Sequence, residues 1–267
     1  MKIGVFDSGV GGLTVLHALL DAIPQADYLY LGDTARLPYG SKSATTIARY
    51  AVSSVHFLLE QGAEYLVIAC NTASALAMND ICAAVSTEVL GVIEPGARAA
   101  SALSHSKNVC VIGTAATVGS HAYQRALSKL GVNAYEKACP LFVPLVEEGW
   151  TEHPVTEQVA RIYLEELARE QCSNGNGKAD VLVLGCTHYP LLKPLLQRVL
   201  PPDMQLVDSA QATAHDVAQH LALAENARRR EPSIRFFATD SVEKFRLLGS
   251  RFLRRDIAKV ELITLPE

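Results

Sequence analysis

The sequence alternates short apolar runs with longer segments of helical periodicity, and this alternation restricts the fold more than any other feature. Runs rich in Val, Ile, Leu and Tyr predict strands at 2–6, 28–31, 65–70, 89–93, 108–113, 181–185, 205–207, 234–238 and 259–264. Between many of them, apolar residues recur at helical spacing, as from Val15 to Ile23 and from Ile47 to Leu59. Continuous apolarity is typical of parallel strands covered on both faces. The pattern therefore predicts a doubly wound α/β fold with mainly parallel sheets.

A weak internal repeat predicts two similar halves. One half begins with KIGVFDSGVGG and later reaches IACNTAS, whereas the other begins with KNVCVIGTAATVGS and later reaches LGCTHYP. Each half thus has a polar turn after its first strand and a cysteine after a later strand. Ligands of open parallel sheets bind beyond the carboxyl ends of the strands. We therefore expect Cys70 and Cys186 to flank one ligand in a cleft between two pseudo-symmetric domains.

The boundary between the halves is predicted in the segment IEPGARAA at 93–100, where Pro95 and Gly96 interrupt the chain. The segment after Val207 holds two more predicted strands and is expected to return to the first half. We therefore predict a first domain from residues 1–96 plus 208–267, which carries Asp7 and Cys70. A second domain, residues 97–207, would carry Cys186 and His188.

Composition favours an ordinary soluble protein with small ligands. The 267 residues are 49% hydrophobic and 19% charged, with a net charge of −4 that gives no broad attraction for nucleic acid or anionic membranes. Apolar runs are too short to span a membrane, and the start is typical of a folded strand rather than a leader. We expect a cytoplasmic protein with solvated surface segments at 173–178 and Arg228–Arg230.

The six cysteines form no CxxC pair, and a reducing compartment disfavours disulfides among them. Four are expected to be small buried hydrophobic residues, namely Cys82, Cys110, Cys139 and Cys172. Cys70 and Cys186 differ because each follows a buried strand and precedes a predicted helix, whose N-terminus can favour a thiolate. Only a few per cent of an ordinary thiol is ionised at pH 7, so the site must assist.

Two thiols on opposite sides of one carbon permit a reaction that a single thiol does not. One thiolate can remove a proton from a stereocentre while the opposite thiol delivers a proton to the other face, which inverts the centre. His188, two residues beyond Cys186, adds an acid or base at the second thiol. The pattern therefore indicates inversion of a carbon acid.

Two further polar turns follow predicted strands. In DSGVGGLTVL at 7–16, the glycines would let backbone N–H groups approach an anion at a helix N-terminus, although a simple tight turn is the alternative. This stretch has neither the P-loop ending nor the dinucleotide glycine pattern. The segment LGDTARLPYGSKS at 31–43, with Asp33 and Arg36, is predicted to form a wall of the pocket.

Four stretches taken together resemble the glutamate racemases of the aspartate/glutamate racemase family. They are FDSGVGGLTV, GDTARLPYGSKS, ACNTAS and LGCTHYPLL, in this order across residues 6–192. Aspartate racemases typically have Thr-Glu after the second cysteine, so Cys186-Thr187-His188 resembles the glutamate branch.

The resemblance implies a two-base interconversion of L- and D-glutamate without cofactor, pyridoxal phosphate or metal, which supplies D-glutamate for peptidoglycan in a bacterium. It also implies a homodimer. Cys70 would act on D-glutamate and Cys186 on L-glutamate, with Asp7 and His188 as auxiliary acids or bases. Asp33 and Glu147 match further acidic positions. The substrate-binding positions implied are Asp7, Ser8, Pro38, Tyr39, Gly40, Ser41, Asn71, Thr72, Thr114, Thr117, Thr187 and His188.

The role of Asp7 presents a physical difficulty, because a carboxylate beside a thiol opposes thiolate formation. We therefore interpret Asp7 as a proton acceptor or an orienting partner. The ammonium group of the substrate would offset the excess negative charge, so that activation is completed only when the substrate binds.

Three other interpretations remain open from the sequence. A cysteine hydrolase would use Cys186 and His188, but side chains two apart at a strand end usually diverge and Cys70 would have no role. An amino-acid-binding protein would need neither thiol, and a zinc site of Cys70, Cys186 and His188 lacks a clear fourth ligand. Local helix capping is the alternative role for Asn71, Thr72 and Thr187.

Overall fold

The computed structural model describes residues 1–174, 177–221 and 231–266. The Arg228–Arg230 run and part of the predicted surface loop at 173–178 therefore lie outside the described residues. Within the described ranges, none of the helices combines the length and the apolar character needed to cross a membrane.

Ten parallel strands form two separate sheets in the described chain. They are β1 (Lys2–Asp7), β2 (Asp27–Gly32), β3 (Tyr65–Ile68), β4 (Val89–Gly91), β5 (Asn108–Gly113), β6 (Asn133–Ala138), β7 (Val181–Gly185), β8 (Gln205–Asp208), β9 (Ile234–Ala238) and β10 (Glu261–Leu262). The six-stranded sheet has the order β10-β9-β2-β1-β3-β4, and the four-stranded sheet has the order β6-β5-β7-β8. Each pair of neighbouring strands is parallel.

Helices connect the strands in the order expected of a doubly wound fold. They are α1 (Leu13–Ala22), α2 (Ala44–Glu60), α3 (Asn71–Leu76), α4 (Met78–Ala84), α5 (Ile93–Leu103), α6 (Ala115–Gly119), α7 (Ala122–Lys129), α8 (Phe142–Glu147), α9 (Pro154–Asn174), α10 (Lys193–Val199), α11 (Ser209–His220) and α12 (Val242–Leu253). Single 3-10 turns lie at Thr34–Arg36, Tyr39–Ser41 and Tyr189–Leu192. The predicted fold class, with two similar sheets, is confirmed.

All nine predicted strands are present, but the sequence pattern missed β6. Its sequence NAYEKA is polar and only Tyr135 is buried within it. The reason is its position, because β6 forms an edge of the four-stranded sheet and pairs only with β5. The inner strands β5 and β7 are buried throughout, which explains their continuous apolar runs.

The segment at 93–100 is not an interruption of the chain, as its proline and glycine had indicated, but the start of helix α5. Pro95 lies in the first helical turn, where a missing backbone N–H costs nothing. Gly96 packs against the ring of Tyr123, where a side chain would be crowded. The exact domain limits stay a prediction.

The two sheets share buried apolar packing. One cluster joins Val5 and Tyr30 of the six-stranded sheet to Leu182 and Leu184 of the four-stranded sheet. Helices α1 and α11 pack against each other between the sheets. The halves are therefore held in a defined relative position, which brings the carboxyl ends of β3 and β7 to a common cleft.

Candidate active site

A cavity of about 580 Å³ between the two sheets contains both strand-end cysteines, Cys70 after β3 and Cys186 after β7. Both thiols are 5% exposed. A second hollow of about 620 Å³, between α1 and α11, is lined by neither cysteine. Volume alone therefore does not identify the site. The presence of both thiols in the same cavity identifies it.

Cys70 is held by the turn that starts helix α3. It is the N-cap residue, and its sulfur accepts a hydrogen bond from the backbone N–H of Ala73 at 3.5 Å. The thiol in turn donates to Oγ of Ser8 at 3.5 Å. Burial, together with the negative charge of Asp7, raises the pKa of Cys70 to about 12. This thiol is therefore protonated in the unliganded protein at neutral pH.

Asp7 is the last residue of β1 and is 1% exposed. Burial raises its pKa, although backbone N–H groups of Gly12, Gly9 and Ser8 and the charge of His188 act in the opposite direction. The N–H of Gly9 donates to Oδ2 at 2.9 Å, whereas Oδ1 has no partner in the described part of the chain. The glycine turn therefore donates to the carboxylate of Asp7, and its role in holding a ligand anion stays a prediction.

The side chains of Cys186 and His188 do not diverge, contrary to our expectation. The chain turns directly after β7, and the N–H of Tyr189 donates to the carbonyl of Cys186 at 3.1 Å. This turn places the imidazole of His188 close enough to Cys186 for the sulfur to raise the pKa of the imidazole. Gly11 allows the close approach, because a Cβ atom there would collide with Thr187 and His188.

The imidazole of His188 is a buried proton donor. Burial lowers its pKa, but hydrogen bonds and charge interactions with Cys186 and Glu147 outweigh it and raise the pKa to about 10. Nε2 lies 3.3 Å from Oε1 of Glu147. Nζ of Lys244, on α12, lies 3.5 Å from the other oxygen of Glu147. A positive imidazolium therefore stands next to the second sulfur.

The predicted wall at 31–43 is anchored by Asp33, which does not itself line the cavity. Asp33 is fully buried and accepts hydrogen bonds from the hydroxyl of Tyr39 at 2.5 Å and from Nε of Arg36 at 2.7 Å. The hydroxyl of Thr239, after β9, donates to its second oxygen at 2.9 Å. Asp33 therefore fixes the turn whose residues Pro38 to Ser41 face the cavity.

Hydroxyl groups link the two halves across the cleft. The Oγ1 atoms of Thr72 and Thr114 are 3.0 Å apart, and that of Thr117 lies 3.4 Å from Thr72. Thr14 donates to the carbonyl of Thr187 at 3.0 Å. These contacts fix the relative position of the elements that carry the two cysteines.

The capping alternative is wrong for Asn71 and Thr72. Both lie within the first turn of α3, whose N-cap is Cys70. Their side chains reach α7 and α6 of the other half instead. The hydroxyl of Thr187 lies 3.4 Å from Nδ1 of His188, so it too serves the site rather than a helix start.

Most of the residues that the sequence predicted for the site meet in the cavity. Those that line it are Ser8, Pro38, Tyr39, Gly40, Ser41, Cys70, Asn71, Thr72, Thr114, Glu147, Cys186, Thr187 and His188. Asp33 and Thr117 lie behind this lining and hydrogen-bond to Tyr39 and Thr114, and the charge of Asp7 acts on Cys70 from the same position. The sequence missed Lys244, which also lines the cavity. No motif marks it, because it lies on an ordinary amphipathic helix.

Apolar side chains that the sequence did not single out complete the lining. They are Leu37, Ala115, Pro140, Val143 and Pro144. Short apolar residues in loops and turns give no periodic signal, so only the tertiary structure assigns them to the cavity.

Five cysteines have described side chains, and all five are free thiols. Cys110 and Cys139 are buried as expected, but Cys82 is exposed on α4, contrary to the prediction. It lies on the outer face of a short helix, where no packing requires an apolar residue. The side chain of Cys172 lies outside the described part of the structure. Among the described residues, no group of three or more His, Cys, Asp or Glu side chains could hold a metal ion.

Comparison with known proteins identifies the family of this chain. Residues 5–217 match the family model for Asp/Glu/Hydantoin racemases. A glutamate racemase from Koribacter versatilis is 54% identical, over 98% of this chain and 97% of the relative. The crystal structure of a glutamate racemase from Bacillus anthracis superimposes with a TM-score of 0.91 at 35% identity, covering 99% of this chain and 98% of that one.

A further solved relative was crystallised with a ligand. The glutamate racemase from Francisella tularensis, in complex with D-glutamate, has a TM-score of 0.87 at 35% identity and covers 98% of this chain and 97% of its own. The family model and these relatives thus define an isomerase of the amino-acid racemase class. The chain belongs to the Asp/Glu/Hydantoin racemase family, within its glutamate racemase group.

Proposed function

We propose that this enzyme interconverts L- and D-glutamate by two-base proton transfer at the α-carbon, with Cys70 and Cys186 as the two bases and without a cofactor. The observation that carries the proposal is that both thiols line one cavity, each from a different sheet. The relative solved with D-glutamate supports glutamate as the substrate.

The proton balance of the reaction follows from the two thiols. One sulfur, as thiolate, takes the α-proton of the substrate and becomes a thiol. The opposite thiol gives its proton to the other face of the same carbon, so the product has inverted configuration and the two sulfurs have exchanged protonation states. By family analogy Cys70 removes the proton from D-glutamate and Cys186 removes it from L-glutamate.

The neighbours of each thiol support different proton-handling roles. At the second site, a protonated His188 lies beside Cys186 and can return a proton to its sulfur. At the first site, the raised pKa of Cys70 means that its thiolate must form with the help of bound substrate. The substrate ammonium supplies a positive charge there, and Asp7 accepts or orients the proton that Cys70 releases.

The polar lining is suited to two carboxylates. Ser8, Thr72, Thr114 and Thr187 offer hydroxyl groups, and Asn71 offers an amide, so hydrogen bonds replace an arginine clamp. Pro38, Tyr39, Gly40 and Ser41 contribute turn backbone on one side of the cavity. The product D-glutamate would be used in peptidoglycan precursors, and a cytoplasmic homodimer is the expected working form.

Proton NMR of L-glutamate in deuterated water tests the mechanism directly. The native protein should exchange the α-proton for deuterium and form D-glutamate, and early in the reaction the label should enter the product rather than the recovered substrate. This asymmetry is expected because two different thiols act on the two faces. Cys70→Ser and Cys186→Ser should each abolish inversion, whereas Cys82→Ser, at an exposed thiol outside the cavity, should retain it.

The results separate the competing functions. Full activity of Cys70→Ser would exclude the two-thiol mechanism and favour a single nucleophile at Cys186. Binding of glutamate with neither exchange nor inversion would indicate a binding protein. As an internal check, kcat/KM must be equal for the two enantiomers in every active variant, because the equilibrium constant between mirror images is unity.

A further inference from the structure

The hydroxyl of Tyr123 makes a side-chain hydrogen bond that reaches from one half of the molecule to the other. Tyr123 lies on α7 and is fully buried. Its hydroxyl donates to Oδ1 of Asn71, on α3, at 2.8 Å. Asn71 directly follows Cys70, so this bond reaches the residue next to the first thiol.

The other end of the Asn71 amide has no partner. Asn71 is 2% exposed and lines the cavity, and among the described residues no acceptor is within hydrogen-bond distance of its Nδ2. A buried amide donor left without an acceptor costs about 1–3 kcal/mol, so proteins seldom keep one unless a ligand or water completes it. Nδ2 is thus a buried donor without an acceptor in the described part of the chain, on a residue that lines the cavity.

We propose that Tyr123 is a positioning residue: by binding Oδ1, its hydroxyl sets the orientation of the Asn71 amide so that Nδ2 is presented to a carboxylate of the substrate. This inference rests on the proposed function only for the identity of the ligand, an amino acid with carboxylate groups. Without the hydroxyl, the amide can rotate by half a turn and present an oxygen, which repels a carboxylate.

The ring of Tyr123 is tightly packed, so its hydroxyl has a fixed position. A Cβ atom on Gly185 would lie 3.0 Å from one edge of its ring, and a Cβ atom on Gly96 would lie 3.2 Å from another. Gly185 directly precedes Cys186, so the ring also packs against the backbone that carries the second thiol. Burial raises the pKa of the Tyr123 hydroxyl, and it stays a donor throughout the working pH range.

Another buried tyrosine, Tyr28, has a hydroxyl that, within the described chain, bonds only to the main chain. Tyr28 donates to two main-chain carbonyls, those of Leu19 at 3.0 Å and Ile23 at 2.8 Å. Its contacts stabilise the end of α1 and do not reach the cavity. Tyr28→Phe is therefore a matched control, because it also removes one buried phenol hydroxyl.

Steady-state kinetics of Tyr123→Phe in both directions test the proposal. We expect KM to rise about fivefold or more for L- and D-glutamate, while kcat changes less than about twofold, because a carboxylate contact is equally strong in substrate and transition state. Tyr28→Phe should leave KM unchanged, although its melting temperature falls. In an Asn71→Ala background, Tyr123→Phe should cause no further rise in KM, because the two residues act as one unit.

If Tyr123→Phe folds poorly, the variant Asn71→Asp tests the same proposal. Asn71→Asp retains an acceptor for Tyr123 but replaces the donor facing the substrate by an oxygen, so we expect a folded protein with KM raised at least tenfold. An unchanged KM in Asn71→Asp, or equal effects of Tyr123→Phe with and without Asn71, would overturn the proposal. Failure of the native protein to racemise glutamate would instead refute the proposed function, since these comparisons need an active parent.

Discussion

Nε2 of His188 lies 3.3 Å from Oε1 of Glu147, and Cys186 interacts electrostatically with the same imidazole. His188 follows β7, whereas Glu147 is the last residue of α8. Interactions with Glu147 and Cys186 together raise the pKa of the buried imidazole to about 10 against the opposing effect of burial. The proton on His188 is thus stable at the pH where the enzyme works.

Replacing Glu147 by Gln should move the alkaline limit of activity. The change removes one of the two partners that keep His188 protonated, so its pKa should fall from about 10. We expect the basic limb of the kcat/KM profile to move toward acid by about one pH unit. The profile should be measured with L-glutamate between pH 6 and 10.5, with Glu148→Gln, at the exposed neighbouring residue, as the control.

The raised pKa of His188 also makes the stability of the fold depend on pH. The pKa of His188 in the folded protein lies above its ordinary value near 6.5, so its protonation stabilises the fold fully below about pH 6.5. That contribution is lost as the pH rises toward 10. Glu147→Gln should therefore lose less stability than the native protein over this interval. An unchanged basic limb together with an unchanged pH dependence of unfolding would contradict the role given to Glu147.

Cys70 should be a slow nucleophile in the absence of substrate. Its pKa is raised to about 12 by burial and by Asp7, so very little thiolate exists at pH 7.5. We expect alkylation by iodoacetamide to be at least about 100-fold slower at Cys70 than at the exposed Cys82. Peptide mass spectrometry measures both rates in one sample. Equal rates would mean that the thiolate forms without substrate.

Adding a methyl group at Gly11 should disrupt the contact between the glycine turn after β1 and the turn that follows Cys186. A Cβ atom there would collide with the side chains of Thr187 and His188. We expect Gly11→Ala to fold but to lose at least about 100-fold in kcat/KM, because misplacing a catalytic group by an ångström costs that much. Gly119→Ala is the control, since no atom lies within 4 Å of the added carbon. It should retain native activity.

Replacing Asp33 by Asn should weaken binding without removing a group that contacts the substrate. Asp33 accepts from Tyr39, Arg36 and Thr239 but does not line the cavity. We expect a loss of about 1–3 kcal/mol in the free energy of unfolding and a rise in KM larger than the fall in kcat. Asp203→Asn, at an exposed residue, should change neither. A fall in kcat alone would argue for a direct catalytic role instead.

Local sequence was sufficient to predict the strands that are buried on both faces. Strands β5 and β7 are buried on both faces, so their apolar runs mark them directly. The polar edge strand β6 and the exposed Cys82 were mistaken because an edge and an outer helix face carry no such pattern. The proline and glycine of the segment at 93–100 suggested a break, yet both positions are compatible with the first turns of α5.

The sequence by itself determined the doubly wound fold and the two cysteine turns, because the period of apolar residues and the chemistry of strand ends are local properties. Only the tertiary structure decided that His188 turns back to Cys186, that Lys244 reaches Glu147 and that Tyr123 orients Asn71. Each of these contacts joins elements whose meeting depends on how two sheets pack. The geometry of the cleft therefore depends on packing between elements that are distant in sequence, and no single segment of the sequence determines that packing.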